Sequence, residues 1–413
     1  MRDPRPESRW YYFEPWGARR GPLTSAEIRT LIASGTIRSD TWMEGAGILG
    51  RFLAGKLKGV AFPSRRSVPG SGAAPAAADF LASVIGRPAR EVSESLELIR
   101  SGHAYGTLDV PKRAGGSRRI HPPTEVVKVV QRAILDRILH QIPVHLVAHG
   151  FCRNRDILTN AQEHVRARTL LNLDLQDAFP SVKERRVRIA LERHVRRLVR
   201  AQLGKSGTPA LASEMLETLV TLTTHEGCLP QGAPTSPAIL NIVCVALDRR
   251  LFTLGSQHGL KVTRYADDIT VSSTADEIPG PVRAEIRSEI SAAGWRVNER
   301  KVKYLQRSTG NALEVTGLLI QEDGRMSIAP DRRREYRAYL NEQLRSGTVS
   351  AEQRPKVEGV IAFVRRIYGH AIPSLLRKPI LLLETRLAQA PRAPSNEGKR
   401  ARFDPYSRSS GNE

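Results

Sequence analysis

The chain has 413 residues, 40% of them hydrophobic, and carries a formal net charge of +22. No run approaches the roughly 18 apolar residues that a membrane span needs, and the first residues lack the apolar segment of a secretion signal. The three cysteines, Cys152, Cys228 and Cys244, form no CxxC pair, which argues against a disulfide framework or a cysteine zinc site. We therefore expect a cytoplasmic protein of two or three domains with no membrane partner.

The excess of lysine and arginine extends along the whole chain. Nucleic acid is the partner that such a charge distribution favours. The alternative is an arginine-rich surface that is only solvated. A basic face on an anionic membrane is less favoured, because no segment shows the strongly amphipathic helix which that mode requires.

Residues 1–62 have the pattern of a small separate module. An aromatic strand that begins at Trp10 is followed by a Gly-Pro turn and a short helix. Thr24 or Ser25 can cap this helix, Glu27 lies in its first turn, and Gly35 ends it.

The segment "RWYYFEPWGARRGPLTSAEIRTLIASGTI" and a later tryptophan resemble the bacterial GYF-like domain. The resemblance implies a small α+β module whose aromatic surface binds proline-rich peptides, so we predict that it docks an effector protein. The alternative is that the aromatic residues form the core of a tiny domain. These residues are Trp10, Tyr12, Trp16 and Trp42.

Composition divides the rest of the chain. Residues 63–79 are Pro, Gly, Ser and Ala without apolar periodicity and predict a flexible linker. Residues 390–413 are polar and predict a disordered tail. Between them, "TEVVKVVQRAILDRILHQI" and "SPAILNIVCVALDRRLFTL" predict helices, "TLLNLDL" a buried strand, and "KVTRYADDITVSS" a hairpin.

Three aspartates lie at the ends of these predicted strands. Asp174 ends the apolar strand, while Asp267 and Asp268 are adjacent in the hairpin turn. Two neighbouring like charges are either a solvated turn or the ligands of a cation. Three carboxylates from two strands would suit two Mg²⁺ ions, which activate a hydroxyl and stabilise a leaving pyrophosphate.

Four segments, in order, resemble the palm motifs of reverse transcriptases: "LNLDLQDAFPSV", "LPQGAPTSPAILNI", "YADDITVS" and "GWRVNERKVKYL". The upstream "LDVPKRAGGSRRIHPP" resembles the fingers motif of the same family. The implied fold is an α+β right-hand polymerase with an antiparallel palm sheet. The implied domains are fingers and palm over 80–325 and a helical, RNA-binding thumb over 326–389.

The resemblance also implies roles for residues that contact the incoming deoxynucleoside triphosphate. Phe179 aligns with the steric gate against a ribose 2′-OH, although the local pattern alone fits a core phenylalanine. Gln231 and Gly232 align with the loop that grips template and nucleotide, and the same loop also fits a plain helix start. Tyr265 adjoins the paired aspartates.

Basic residues of two motifs are implied to act on the triphosphate. One or more of Arg118 and Arg119, with Lys112 and Arg113 before them, would hold it, unless they form a solvated turn. Lys301 aligns with a lysine that protonates the leaving pyrophosphate, and Lys303 is close enough to compete for this assignment.

Two further elements resemble markers of retron reverse transcriptases. They are "NAQEH", with Asn160 and His164 four residues apart, and "VTG" at 315–317. Helical spacing would place Asn160 and His164 on one face, where they would contact RNA or brace the palm. Arg332, Arg333 and Arg334 would bind RNA through the thumb, or form a solvated helix face.

A retron enzyme copies part of a cognate structured noncoding RNA into DNA, primed from an internal 2′-OH, and yields branched RNA–DNA that commonly serves anti-phage defence. That is the function the resemblance implies here. The alternatives are another bacterial reverse transcriptase, such as a group II intron type, and an RNA-binding scaffold with an inactive palm. The complete aspartate set argues against the scaffold.

Overall fold

The computed structural model describes residues 10–13, 19–33, 36–37, 41–45, 48–54, 76–111 and 116–389. The predictions for Lys112, Arg113, Trp16, Gly35, the tail and most of the linker lie outside these residues, as does the Trp42 side chain. The chain forms two compact units. The first comprises Met1–Pro143 and Val182–Ile242, and the second comprises Val144–Ser181 and Val243–Glu413.

The N-terminal module is a four-stranded sheet of order β2-β1-β3-β4 with one helix. Its elements are β1 (Trp10–Phe13), β2 (Arg19–Leu23), α1 (Ser25–Ala33), β3 (Trp42–Gly45) and β4 (Ile48–Leu53). Thr24 is the residue that caps α1: its amide donates to the Glu27 carboxylate at 2.7 Å, and the Glu27 amide donates to the Thr24 hydroxyl at 3.3 Å.

The described core of this module is aliphatic rather than aromatic. It contains Ile28, Ile32, Ile37, Met43 and Ala54, with Trp10 and Tyr12 partly buried against it. Those two aromatic residues therefore contribute to packing at the edge of the core. Whether the module binds peptides stays a prediction.

Helices dominate the rest of the first unit. They are α2 (Ala77–Ile85), α3 (Ala89–Arg100), α4 (Glu125–Arg137), α7 (Glu184–Leu203), α8 (Pro209–Thr223) and α9 (Ser236–Val243). Strands β5 (Leu108–Pro111) and β6 (Ser117–Ile120) form a hairpin. Helix α2 begins at Ala77, inside the predicted linker 63–79, because its alanines favour a helix and Phe80 and Leu81 are buried.

The second unit is built on an antiparallel sheet of order β10-β7-β9-β8. Its strands are β7 (Thr169–Asp174), β8 (Lys261–Tyr265), β9 (Asp268–Ser273) and β10 (Lys303–Gln306). The predicted buried strand and hairpin are both confirmed, and β7 ends at Asp174 as expected. Helices α10 (Val245–Gln257) and α11 (Gly280–Ala292) pack together, and α10 also contacts β8.

Two short helices, α5 (Ile157–Gln162) and α6 (Ala178–Ser181), flank β7 in the chain. The long helix predicted over 236–254 is instead two helices, since α9 ends at Val243 and α10 begins at Val245. The Cys244 between them is fully buried.

A second sheet and three helices complete this unit. The sheet contains β11 (Leu313–Val315), β12 (Leu318–Ile320) and β13 (Met326–Ile328), and the helices are α12 (Pro330–Arg345), α13 (Arg354–Tyr368) and α14 (Ser374–Gln389). One hydrophobic core joins them to α5 and β7. The predicted boundary between 325 and 326 is therefore wrong, because β13 pairs with β12 and belongs to the sheet that precedes it.

Of the helices described, none is both long and apolar enough to cross a membrane. Cys152 and Cys244 are buried, and Cys228 is partly buried.

Candidate active site

Two of the predicted aspartates lie opposite each other on neighbouring strands of the four-stranded sheet in the second unit. In the antiparallel pairing of β7 with β9, Asp174 is directly opposite Asp268. Asp267 lies in the two-residue connection between β8 and β9, and its carbonyl accepts a hydrogen bond from the Leu175 amide at 2.9 Å. Strand register alone therefore gathers three carboxyl-bearing residues at one end of the sheet.

Asp174 is the most constrained of the three. The Lys301 ammonium donates to both of its carboxylate oxygens, at 2.9 and 2.8 Å, and the Asn298 side-chain amide donates at 3.2 Å. The Asn298 backbone amide also donates to the Asp174 carbonyl at 2.8 Å. Lys303 belongs to β10, where it pairs with Asn172, so Lys301 is the lysine that reaches the carboxylate.

The surroundings of the Asp268 carboxyl raise its pKa. Burial of the carboxyl raises the pKa of Asp268 to about 7, and the charges of Asp267 and Asp174 and a hydrogen bond with Asp174 act in the same direction, while Lys301 opposes them. Part of the residue is accessible to solvent, and the two neighbouring carboxylates shift the pKa in the same direction as burial of the carboxyl.

The donor set matches the chemistry of Mg²⁺ but is not arranged as a finished cage. Among the described residues, no three His, Cys, Asp or Glu side chains are positioned to hold a metal ion. The three aspartates nevertheless supply hard oxygen donors whose mutual repulsion a divalent cation would relieve. Asp174 is meanwhile paired with the Lys301 ammonium.

The turn that carries Asp267 is fixed from beneath by a buried ion pair. Arg264 and Asp248 are both fully buried, and the guanidinium donates to the two Asp248 oxygens, at 2.7 Å each. The same guanidinium donates to the Ala266 carbonyl at 2.7 Å. Ala266 has φ +57°, a left-handed conformation that costs energy for alanine, so this hydrogen bond stabilises the turn.

A second support lies beside β8. The Arg264 amide donates to the Val147 carbonyl and the His149 amide donates to the Arg264 carbonyl, both at 2.8 Å. Gly150 follows this pairing, and a Cβ there would lie 2.5 Å from the Ala266 nitrogen. Only glycine allows the segment to approach the turn this closely.

His164 is held between two strands of the palm sheet. Its ring nitrogens lie 2.7 Å from the Ser272 hydroxyl and 2.8 Å from the Thr263 hydroxyl, and 1% of the residue is exposed. Burial, with smaller contributions from His149 and Lys261, lowers the pKa of His164 to about 3. The ring is therefore neutral and cross-links β8 to β9.

Asn160 is equally buried, and its side-chain amide lies 3.4 Å from the Thr316 hydroxyl. The two marker elements around Asn160 and Thr316 thus meet in one cluster. The RNA-contact prediction for Asn160 and His164 is corrected here, because both are buried. The structure supports the alternative that they brace the palm.

A comparison with protein families covers the residues of this site. The family model described as "Reverse transcriptase (RNA-dependent DNA polymerase)" matches residues 110–320. The chain belongs to the reverse transcriptase family. The match includes all three aspartates, Lys301 and the loop at Gln231.

Known relatives agree with the family match. The chain is 36% identical over 284 residues to the retron Mx65 reverse transcriptase of Myxococcus xanthus, covering 66% of this chain and 64% of that protein. It is 29% identical over 290 residues to the retron Ec73 reverse transcriptase of Escherichia coli, covering 68% of this chain and 89% of that protein. The chain therefore spans less than two thirds of the Myxococcus relative.

A solved telomerase of Candida albicans, in complex with a fragment of telomeric RNA, is also similar to this chain. The TM-score is 0.42 at 12% identity, over 69% of this chain and 56% of that one.

Four of the residues predicted to contact the nucleotide lie in the first unit. Arg118 and Arg119 are exposed on β6, and Arg119 forms an ion pair with Asp109 at 3.4 Å. The residue that follows β6, His121, donates its amide to the Gln231 carbonyl at 2.6 Å. Gly232 has φ +106°, which glycine adopts freely. The segment that follows the β5–β6 hairpin is therefore hydrogen-bonded to the Gln231 loop within this unit.

Phe179 and Tyr265 belong to the second unit, where both are half-buried. Phe179 lies in α6, which begins directly after Asp177. Asp177 has φ +46°, and the chain turns there. Tyr265 pairs with Asp268 in the hairpin. The steric-gate role and the nucleotide contact stay predictions.

The three arginines predicted to bind RNA differ in their surroundings. Arg332 contacts Glu335 at 3.2 Å, and Arg334 is exposed. Arg333 is half-buried, and its charge partly opposes the burial that raises the pKa of Tyr368. Of the three, Arg334 is the one most available to a phosphate.

Several residues that build the site were missed from the sequence. Asn298, Arg264, Asp248 and Gly150 hold Asp174 or the turn, and none was singled out. One signal was present for Arg264: a charged residue inside a strand that must be buried requires a partner. The partner itself, 16 residues earlier on α10, could not be read from the sequence.

Proposed function

We propose that this protein is a retron-type RNA-directed DNA polymerase that copies part of a cognate structured noncoding RNA. The observation that carries the proposal is the pairing of Asp174 with Asp268 across β7 and β9, with Lys301 on the Asp174 carboxylate. Its similarity to two retron reverse transcriptases supports the retron type. Synthesis starts from an internal 2′-OH of the RNA and yields a branched RNA–DNA product.

The chemistry is nucleotidyl transfer from a deoxynucleoside triphosphate. Asp174, Asp267 and Asp268 would hold two Mg²⁺ ions, which when bound activate the attacking hydroxyl and stabilise the leaving pyrophosphate. Asn298 orients the Asp174 carboxylate, and the Arg264–Asp248 pair keeps the Asp267 turn in place. These contacts set the carboxylates before substrate arrives, which lowers the cost of organising them during the reaction.

Lys301 has two roles in this proposal. Its ammonium neutralises Asp174 while the carboxylates are without another cation, and it is the proton donor for pyrophosphate. A divalent cation would use the same Asp174 oxygens as Lys301, so a site that held the cation would leave the ammonium available to the leaving group.

Residues of several motifs hold the nucleotide itself. Arg118 and Arg119 bind the triphosphate, Gln231 and Gly232 form the loop beside template and nucleotide, Tyr265 contacts the nucleotide, and Phe179 excludes a ribose 2′-OH. Arg334, with Arg332 and Arg333, contributes phosphate contacts to the RNA in the thumb. The product serves anti-phage defence together with an effector protein.

The decisive experiment expresses the gene with its native flanking DNA and sequences the nucleic acid that copurifies with the protein. A short DNA joined to RNA through a 2′ branch is the expected product. It should be absent from the Asp267→Ala, Asp268→Ala double variant, which removes two of the three proposed ligands.

The chain offers a matched control for that variant. Glu322 and Asp323 are another adjacent acidic pair, exposed in the turn between β12 and β13. Replacing both by alanine should leave the product unchanged. Linear DNA would place the enzyme outside the retron type, and RNA without DNA from the wild type would indicate a scaffold.

The N-terminal module is assigned to partner docking. We expect deletion of residues 1–62 to spare DNA synthesis in vitro, since the aspartates lie in the second unit, and to weaken recovery of a proline-rich effector. Equal recovery of that effector by the full and shortened chains would reject this assignment.

A further inference from the structure

The most arginine-rich helix of the described chain has no role in the proposed mechanism. Helix α7 contains seven arginines and two glutamates in 20 residues. One face is fully apolar and buried, through Val187, Leu191, Val195 and Val199. The opposite face must therefore carry most of the positive charge.

Four exposed arginines lie along that face and form what we call the arginine stripe: Arg185, Arg193, Arg197 and Arg200. Their spacing follows the helical repeat, so they fall within roughly one third of the helix circumference. From first to last the stripe is about 22 Å long at 1.5 Å per residue. Ile189, which is 59% exposed, lies within it.

Two other arginines of α7 form ion pairs with glutamates. Arg188 forms a two-pronged ion pair with Glu217 of α8, and Arg196 pairs with Glu192 at 2.6 Å. None of the four stripe arginines has a carboxylate within ion-pair distance among the residues that the structure describes. The acidic residues near α7 neutralise its flanks and leave the stripe positive.

The positive charge of the stripe also acts on a neighbouring histidine. Burial lowers the pKa of His194, and the charges of Arg193 and Arg197 lower it further. Four uncompensated guanidinium groups in a row raise the free energy of the folded state slightly. A polyanion that lies along the stripe would relieve this repulsion.

We propose that the arginine stripe of α7 is a binding surface for the sugar–phosphate backbone of RNA, separate from the thumb arginines. Guanidinium groups suit phosphate oxygens. Helix α7 contains no Phe, Tyr or Trp, and its one imidazole, His194, is half-buried, so the surface would anchor and orient the RNA without reading its sequence. The inference rests on the proposed function for the identity of the polyanion.

The test compares two charge-matched double variants with the full stripe variant. Arg193→Gln with Arg197→Gln removes two stripe charges, and Arg188→Gln with Arg196→Gln removes two paired charges from the same helix. The quadruple variant replaces all four stripe arginines by glutamine, which is a good helix former. Circular dichroism checks that α7 remains folded.

Binding of a fluorescein-labelled stem–loop RNA is measured by anisotropy over a series of KCl concentrations. Each lost phosphate contact should reduce the slope of log Kobs against log salt by about 0.7 to 0.9. We expect a reduction of about 3 for the quadruple variant, about 1.5 for the stripe double, and near zero for the paired double.

Extension of an oligo(dT) primer on poly(rA) at low salt separates this inference from the proposed function. Retained extension with a reduced salt slope in the quadruple variant supports the stripe. An unchanged salt slope for RNA binding in a folded quadruple variant overturns the inference about the stripe. Loss of binding to a protein in the same variant would not rescue the inference. A wild type that makes no DNA but shows the expected slopes would reject the polymerase and leave the stripe standing.

Discussion

The buried pair of Arg264 and Asp248 gives the sharpest prediction about the palm. Arg264→Met removes three hydrogen bonds of 2.7 Å and leaves the Asp248 carboxylate fully buried without its charge partner. Breaking a buried ion pair from one side typically costs about 3–5 kcal/mol. For a unit of this size, that corresponds to a fall in Tm of roughly 6–20 °C.

The second step separates charge from turn geometry. Adding Asp248→Leu to Arg264→Met removes both charges together, which should recover most of the lost stability. It cannot restore the hydrogen bond to the Ala266 carbonyl, so the Asp267 turn should remain loose. We therefore expect the double variant to be nearly as stable as wild type but slower in primer extension.

Urea denaturation followed by circular dichroism measures the stability, and single-nucleotide extension measures the rate. An Arg264→Met protein whose unfolding free energy lies within about 1 kcal/mol of wild type would refute the buried-pair argument. A stable double variant with wild-type extension would show that the Ala266 hydrogen bond does not position the turn.

Two further predictions concern the supports of the site. His164 stays neutral in the fold but gains a proton in the unfolded chain below about pH 6.5, so its contribution to stability is present above that pH and is lost as pH falls towards the folded pKa of about 3. In urea denaturation between pH 7.5 and 5, wild type should lose about 2 kcal/mol more unfolding free energy than His164→Gln. Equal losses in the two proteins would contradict this prediction. Gly150→Ala should abolish primer extension, because its Cβ would lie 2.5 Å from the Ala266 nitrogen. The control Gly106→Ala should extend primers normally, because the nearest neighbour of its Cβ would be a Pro122 side-chain atom at 3.8 Å. An active Gly150→Ala enzyme would count against the close approach at Gly150.

The sequence predicted the chemical groups of the site well because each motif is local. Asp174 ends a run of apolar residues, and Asp267 and Asp268 lie in a hairpin turn, so their positions on strands follow from short-range patterns. The capping box at Thr24 and Glu27 is likewise a pattern of four residues that the structure reproduces.

Burial reversed the interpretation of Asn160 and His164. Their spacing predicted one helix face, but α5 ends at Gln162, before His164, and the His164 ring contacts strands about 100 residues later in the chain. A polar residue on a helix face fits RNA contact and interior bracing equally well until its partners are known. The boundary at 325 failed similarly, since β13 is defined by its pairing with β12 rather than by its own three residues.

By itself, the sequence determined which residues could do chemistry: three carboxylates at strand ends, a lysine after the palm and an excess of positive charge. Only the tertiary structure decided how those residues are held. The register of β7 with β9 sets Asp174 against Asp268, Lys301 closes on Asp174 from 127 residues away, and Arg264 on Asp248 fixes the turn. The physical reason is that motifs record local backbone preferences, whereas burial, charge pairing and close approach arise between segments that only folding brings together.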